Sequence, residues 1–153
     1  MTYLYPDAAI MVFCKAPIPG QVKTRLSPPL SAAAAAQLHC ELTELSLQTA
    51  THNHLCEVVL WCSPTIDQAF FTLLADKYPL SLQLQQGADI GERMHHAFTQ
   101  TLSHKRSAVI IGCDCPSLTT DDLDDALSQL NHSMECVLAP AEDGGYVLIG
   151  LTR

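Results

Sequence analysis

Residues 9–26 read AIMVFCKAPIPGQVKTRL, an apolar run that opens into a loop of prolines, a glycine and basic residues. Residues 9–13 have the uncharged, partly β-branched character of a buried strand. Five similar short apolar runs follow along the chain, at 58–61, 80–84, 108–111, 137–139 and 146–149. The sequence therefore predicts six strands, the first of which ends at a cationic loop.

Segments with helical spacing of apolar residues separate most of these runs. Capping residues mark three helix starts, because Ser31 precedes an alanine run, Asp89 stands three residues before Glu92, and Thr119 stands at the start of an acidic turn. Alternating helices with almost continuously apolar strands predict a three-layer α/β/α fold whose mainly parallel sheet is covered on both faces. No linker divides the chain, so we expect residues 1–153 to form a single domain.

Composition narrows the range of partners. The chain has a formal net charge of −8 at pH 7, which argues against a broad surface for nucleic acid or anionic membrane. No apolar stretch approaches the roughly 20 residues of a membrane-spanning helix, and the first residues lack the basic start of a secretory signal. We expect a cytoplasmic protein that binds small molecules. Its seven cysteines form no Cys-x-x-Cys pair, and we expect reduced thiols.

The loop after the first strand holds three of the eight basic residues and no acidic residue. Open α/β sheets bind ligands beyond the carboxyl ends of their strands, and Lys and Arg donors suit phosphate. A solvated loop with scattered cations is the alternative, which the loop's position disfavours. A Walker loop would need glycine at Val22, and no G-x-G-x-x-G occurs, so neither a P-loop ATPase nor a nicotinamide dehydrogenase is favoured. The candidate nucleotide-binding residues are Lys15, Gly20, Lys23, Thr24 and Arg25.

A lone carboxylate, Asp114, follows the fourth predicted strand within Gly-Cys-Asp-Cys-Pro-Ser-Leu-Thr at 112–119. Mg²⁺ or Mn²⁺ typically takes one or two protein carboxylates together with substrate phosphates, so Asp114 is a candidate metal ligand and catalytic residue. A turn aspartate before proline is the ordinary alternative. Cys115 leaves a thiol-based site open, although no histidine is close to it in sequence.

Residues 140–146, Pro-Ala-Glu-Asp-Gly-Gly-Tyr, join the last two predicted strands. A plain turn explains Asp-Gly-Gly, since these residues adopt positive φ at little cost. The functional alternative makes Asp143 an acceptor of a substrate hydroxyl, with bare glycine backbone admitting a ligand against Tyr146. The candidate acceptor-binding residues are Glu142, Gly144, Gly145 and Tyr146, with Asp143 as a second catalytic residue.

Arg93 lies in the segment after the third predicted strand, within Ile-Gly-Glu-Arg-Met at 90–94. It can bind a phosphate or pair with Glu92, and structural pairing is the commoner outcome for such a residue. Arg93 is therefore a further candidate for nucleotide binding.

Four motifs together, at 15–26, 90–94, 112–118 and 141–146, resemble the DUF2064 family of GT-A-type glycosyltransferase-like proteins, which is similar to the phospholactate guanylyltransferases. The resemblance extends from about Ala8 to Leu151 with the motifs in the same order. It implies a nucleotide-diphospho-sugar transferase fold and a Mg²⁺ or Mn²⁺ cofactor. The residues that match assign nucleotide binding to Lys15, Gly20, Lys23 and Arg25, metal binding to Asp114, and the acceptor side to residues 143–146.

Proteins of that kind continue for some tens of residues after the Gly-Gly-Tyr strand, whereas this sequence stops at Arg153. The resemblance therefore implies a domain that lacks the usual C-terminal segment, including a helix, an edge strand and acidic residues near the metal site. A sheet edge exposed in this way would favour pairing with a second chain, and we expect a homodimer.

The leading hypothesis is a metal-dependent transferase with a nucleotide or nucleotide-sugar donor and a small-molecule acceptor. Attack on phosphorus would release pyrophosphate and define a nucleotidyltransferase, whereas attack on a sugar carbon would release a nucleoside diphosphate and define a glycosyltransferase. Two alternatives are a catalytically incomplete nucleotide-binding or interaction module, and a thiol enzyme that uses Cys115.

Overall fold

The computed structural model describes residues 2–153, which form six strands and four α-helices. All six predicted strands form, and most are slightly longer than their apolar runs. The elements in chain order are β1 (Ala8–Lys15), α1 (Ala32–Thr51), β2 (Glu57–Ser63), α2 (Ala69–Lys77), β3 (Ser81–Leu84), α3 (Ile90–Leu102), β4 (Ser107–Ile111), α4 (Thr120–His132), β5 (Cys136–Pro140) and β6 (Tyr146–Thr152). Two 3₁₀ turns lie at Thr24–Leu26 and His52–His54.

The strands form one sheet in the order β3-β2-β1-β4-β6-β5. The first four are parallel, whereas β6 runs antiparallel to both β4 and β5. The predicted alternation of strands and helices thus ends at β5, which a hairpin joins directly to β6. Since β6 is reversed, its first residues lie at the same sheet edge as the carboxyl ends of β1 and β4. The loops after β1 and β4 and the β5–β6 turn therefore lie together at the carboxyl ends of the parallel strands.

The helices begin where the capping residues predict. The Ser31 side chain accepts a hydrogen bond from the backbone N–H of Ala34, and Asp89 accepts one from Glu92. Thr119 and Asp122 form a reciprocal capping box at the start of α4. Such caps satisfy the N–H groups that a helix start leaves unpaired, and each contributes about 1 kcal/mol.

Helices cover both faces of the sheet, which confirms the three-layer α/β/α prediction. Helices α1, α2 and α4 place residues such as Leu47, Phe71 and Leu127 in the larger apolar cluster on one face. Helix α3 contributes Ala97 and Phe98 to a smaller cluster on the other face. The alternating side chains of the central strands fill both clusters, so the sheet edge that carries the loops rests on a well-packed scaffold.

Two further predictions concern the chain as a whole. All seven cysteines are free thiols, as predicted. Within residues 2–153, none of the helices has the length and apolar character needed to cross a membrane.

Candidate functional site

An ion pair between Lys23 and Asp114 joins the loop after β1 to the loop after β4. The parallel pairing of these strands, in which Val12 lies opposite Ile111, brings the two loops to the same edge. The Lys23 side chain is only 13% exposed, whereas that of Asp114 is 78% exposed. The lysine stem is therefore held against the protein while its ammonium group meets an open carboxylate.

The backbone of Lys23 is left-handed, with φ 53° and ψ 36°. This conformation costs a non-glycine residue roughly 1–2 kcal/mol, and such strain tends to collect at functional sites. Burial lowers the pKa of Lys23, and the nearby thiols of Cys113 and Cys14 oppose that shift. Strain and partial burial together hold the lysine in a defined position that a solvated loop would not require.

The other predicted residues of this loop lie around Lys23 on the surface. Gly20 has φ +85°, in the region that favours glycine, and nothing lies within 4 Å of a Cβ placed there. Thr24 and Arg25 are exposed on the 3₁₀ turn, and Lys15 is exposed at the end of β1. Over residues 2–153, neither Lys15 nor Arg25 is in an ion pair. Both cations are thus available to an anionic ligand.

His39, which the sequence prediction missed, anchors the start of the loop. Its Nε2 donates to the carbonyl oxygen of Lys15 at 2.7 Å from a buried position on α1. Burial lowers the pKa of His39, which favours the neutral ring. The signal was present as a polar stripe at helical spacing inside an otherwise small and apolar helix face, formed by His39, Thr43 and Ser46, all of which are buried.

An open cleft of about 1060 Å³ extends from Asp114 to the β5–β6 turn. The loop after β4 supplies Asp114 and Cys115, and the turn supplies Glu142, Asp143 and Gly145, with Tyr146 beside it. Helix α4 forms another wall with Asp122, Asp125 and Gln129. The structure therefore brings the predicted metal ligand to one cavity with Glu142, Asp143, Gly145 and Tyr146, whereas Gly144, also predicted to bind the acceptor, does not line it.

The β5–β6 connection is a tight turn, as its composition predicts. The N–H of Ala141 donates to the carbonyl of Gly145 at 2.9 Å, and the N–H of Gly145 donates to Asp143 Oδ1 at 3.0 Å. Gly144 has φ +90°, a conformation that glycine adopts without strain. Glu142 and Asp143 are exposed at the tip. The turn interpretation thus explains the local backbone, and the sheet topology explains why the turn borders the cleft.

Arg93 does not pair with Glu92, the partner within the protein that was considered for it. Its Nε donates to the carbonyl of Gly87 at 3.0 Å, while Glu92 accepts from the N–H of Ala88 at 2.7 Å. Arg93 is not among the residues that line the cleft. These bonds stabilise the loop before α3, and a nucleotide-binding role for Arg93 stays a prediction.

Cys115 lies at the cleft with its Sγ 3.3 Å from the hydroxyl of Ser117. A hydroxyl is not a base that can activate a thiol at neutral pH. This contact gives the thiol-enzyme alternative no support.

The donor groups fit a metal ion that is shared with a substrate. Over residues 2–153, no group of three or more His, Cys, Asp or Glu side chains is arranged to hold a metal ion. Mg²⁺ seldom needs such a cage, because one or two carboxylates with phosphates and water suffice. Asp114, exposed and in contact with a cation in its ligand-free form, is suited to that arrangement.

The mainly parallel sheet with its reversed sixth strand matches the fold of a solved nucleotide-diphospho-sugar transferase, which is described below. The chain belongs to the family described as "Uncharacterized protein conserved in bacteria (DUF2064)", whose model matches residues 46–153. The resemblance to the DUF2064 family is confirmed, and the match includes three of the four motifs, those at 90–94, 112–118 and 141–146.

Solved structures support the fold. A provisionally named nucleotide-diphospho-sugar transferase from Desulfovibrio desulfuricans G20 superposes with a TM-score of 0.85 at 32% identity, over 96% of this chain and 64% of that one. The chain therefore spans less than two thirds of that protein's length. A cytidylyltransferase from Leptospira borgpetersenii serovar Hardjo-bovis (strain JB197) superposes at 0.61 and 15% identity, over 97% and 61% of the two chains.

A third structure, 4-diphosphocytidyl-2C-methyl-D-erythritol synthase from Anaerococcus prevotii DSM 20548, superposes at 0.61 and 9% identity, over 96% of this chain and 71% of that one. At such identities the two latter structures support the fold alone. No curated protein matches the sequence.

Proposed function

We propose that the chain is a transferase that uses a nucleotide or nucleotide-sugar donor and a small-molecule acceptor. The contact between Lys23 and Asp114 carries the proposal, because it joins a cationic loop to a carboxylate at the mouth of a cleft. The kind of enzyme represented by the structural neighbours agrees with it.

The loop after β1 binds the donor phosphates in this proposal. Lys15 and Lys23 supply point charges, and Arg25 supplies a forked pair of donors that matches a phosphate group. Gly20 lets the backbone approach the ligand, and the Thr24 hydroxyl donates to it. When the donor binds, the Lys23 ammonium moves from Asp114 to a phosphate oxygen, and the Asp114 carboxylate is left without its partner.

Asp114 would hold Mg²⁺ or Mn²⁺ together with the donor phosphates. Such an ion, when bound, supplies Lewis-acid charge that stabilises negative charge on phosphate oxygens. The Lys23 ammonium contacts the same carboxylate that would hold that cation. We therefore expect donor and metal to bind cooperatively. A donor that draws Lys23 away frees Asp114 for the metal, and a metal on Asp114 would free Lys23 for the donor.

The acceptor occupies the cleft on the far side of Asp114. Asp143 accepts a hydrogen bond from the acceptor hydroxyl and orients its oxygen, and Glu142 lies beside it on the turn tip. Gly144 and Gly145 present no side chain that would exclude the ligand. Tyr146, half exposed, gives the acceptor an aromatic surface to pack against.

Thermal unfolding with a panel of nucleoside triphosphates and nucleotide sugars, with and without Mn²⁺, tests the proposal. A ligand at about 100 times its Kd stabilises the folded state by roughly 2.7 kcal/mol. We expect a metal-dependent rise in Tm for one donor, which Lys23→Ala and Asp114→Asn abolish. Lys77→Ala, which removes the lysine of α2 that pairs with Glu44 of α1, is the matched control. Equal shifts in all variants, or no shift with any donor, would refute the proposal.

Product analysis with the donor so identified separates the two reactions. Release of pyrophosphate identifies nucleotidyl transfer, whereas release of a nucleoside diphosphate identifies glycosyl transfer. Metal-dependent binding without either product identifies the catalytically incomplete nucleotide-binding module.

A further inference from the structure

The cleft beside Asp114 is strongly one-sided in charge. Its lining includes five carboxylates and no lysine, arginine or histidine. The five are Asp114, Asp122, Asp125, Glu142 and Asp143. On a chain whose donor loop is cationic, the two neighbouring sites thus carry opposite charge.

Few of these carboxylates are neutralised by the protein. Over residues 2–153, the ion pair with Lys23 is the one that involves a cleft carboxylate. The hydrogen bonds to the others come from uncharged donors, since Asp122 accepts from Thr119 N–H and Asp125 accepts from Gln129 Nε2 at 3.0 Å. A metal ion at Asp114 would offset charge at the donor end of the cleft and leave Asp125 and Glu142 unpaired.

We propose that the acceptor is a neutral or cationic hydroxyl compound, and that this cleft rejects acceptors that carry a carboxylate or a phosphate. This inference rests on the proposed function, since it concerns the acceptor of that same reaction. A cavity lined by one sign of charge concentrates the opposite charge and repels its own, and a like-charge contact costs enough to exclude a ligand. The apolar side chains of Leu118, Ala126 and Leu148 share the lining with Ser117 and Gln129, which suits a compound with hydrocarbon and hydroxyl faces.

Cys115 offers a readout that needs neither donor nor acceptor, because it lines the cleft and is partly exposed. The double variant Cys40→Ser/Cys136→Ser lacks the two other thiols that are not buried, so that Cys115 is the accessible thiol in the folded protein. We would compare the rates at which Cys115 reacts with a trimethylammonium and a sulfonate methanethiosulfonate reagent, each relative to the urea-unfolded chain. We expect the ratio of the cationic to the anionic rate to be at least tenfold higher in the folded protein than in the unfolded chain. This difference should become smaller at high salt, which screens the carboxylates.

Two further variants locate the charge responsible. Asp125→Asn should lower the cationic preference at Cys115, whereas Asp76→Asn, an equal change on the exposed side of α2, should not. A cationic preference equal to that of the unfolded chain would overturn the inference. That result would leave the donor-binding experiment untouched, and a failure of donor binding would leave the Cys115 rates untouched.

Acceptor competition completes the test. With donor and metal bound, glucosamine, glucose, gluconate and glucose 6-phosphate would be compared in donor consumption at equal concentration. We expect the first two to exceed the anionic pair at least tenfold in kcat/KM, and Asp125→Lys to raise the relative use of gluconate. A preference for the anionic pair would overturn the inference, and if none of the four is used, the Cys115 rates decide.

Discussion

Gly150 in β6 permits the close packing of α4 on the sheet, and replacing it with alanine should destabilise the fold. A Cβ at this position would lie 2.7 Å from Leu130 Cδ1 and 3.1 Å from Val109 Cγ2. Carbon atoms pack at roughly 3.5–4.0 Å, and Leu130 is only 2% exposed, so it cannot swing into solvent. Overpacking costs about 1–3 kcal/mol, against a gain of about 0.4–1 kcal/mol from the stiffer unfolded chain. We expect Gly150→Ala to lower the free energy of unfolding by about 1–2 kcal/mol.

Urea unfolding measures this change, and two comparisons make it specific. Gly112→Ala should stay within about 0.5 kcal/mol of the wild type, because a Cβ there meets nothing within 4 Å. Leu130→Ala alone should cost about 2–5 kcal/mol, but the double variant should lose less than the sum, since truncated Leu130 no longer collides with Ala at 150. A neutral Gly150→Ala, or an additive double variant, would refute the packing argument.

Three other changes test separate parts of the structure. Lys23→Met should weaken binding of a nucleoside triphosphate by roughly tenfold to a hundredfold in titration calorimetry, because it removes a charge-assisted hydrogen bond worth about 1.5–3 kcal/mol. The control variant Lys77→Met should bind as the wild type does. Tyr5 donates to Asp124 at 2.5 Å, and burial, followed by that carboxylate, raises its pKa to about 12. Tyr5→Phe should therefore cost about 1 kcal/mol in urea unfolding near neutral pH and make the loss of wild-type stability between pH 10 and pH 12 shallower, the remaining loss coming from buried thiols such as Cys56. Burial lowers the pKa of His39 from 6.5, so the unfolded chain binds a proton more readily than the folded protein does. The stability of the wild type should therefore fall as the pH drops below 6.5. In His39→Gln this fall should be shallower.

Local chemistry explains why so much of the fold could be predicted. The six apolar runs and the caps at Ser31, Asp89 and Thr119 act over a few residues, so the strands and helix starts are visible in the sequence. The rule that ligands bind beyond strand ends then selects the loops after β1 and β4. These inferences need no knowledge of which strands are neighbours.

Features that depend on strand order could not be predicted in the same way. The contact between Lys23 and Asp114 joins residues 91 positions apart and follows from the pairing of β1 with β4. The turn at Asp143 lies at the same edge because β6 is antiparallel to β4, and α4 also borders the cleft there. The polar stripe of His39, Thr43 and Ser46 is visible in the sequence, but the contact of His39 with Lys15 depends on how α1 packs beside β1.

In the proposed function, Asp114 pairs with Lys23 until a donor binds and would then hold a metal ion together with the donor phosphates. Titration calorimetry of nucleoside triphosphates into wild type and Asp114→Asn, with EDTA and then with Mg²⁺, tests it directly. In EDTA the variant should bind about as tightly as the wild type or more tightly, because Lys23 is released and a repelling carboxylate is lost. With Mg²⁺ it should bind at least about tenfold more weakly, a change of about 1.4 kcal/mol. An effect of the same sign and size in both conditions would contradict the account.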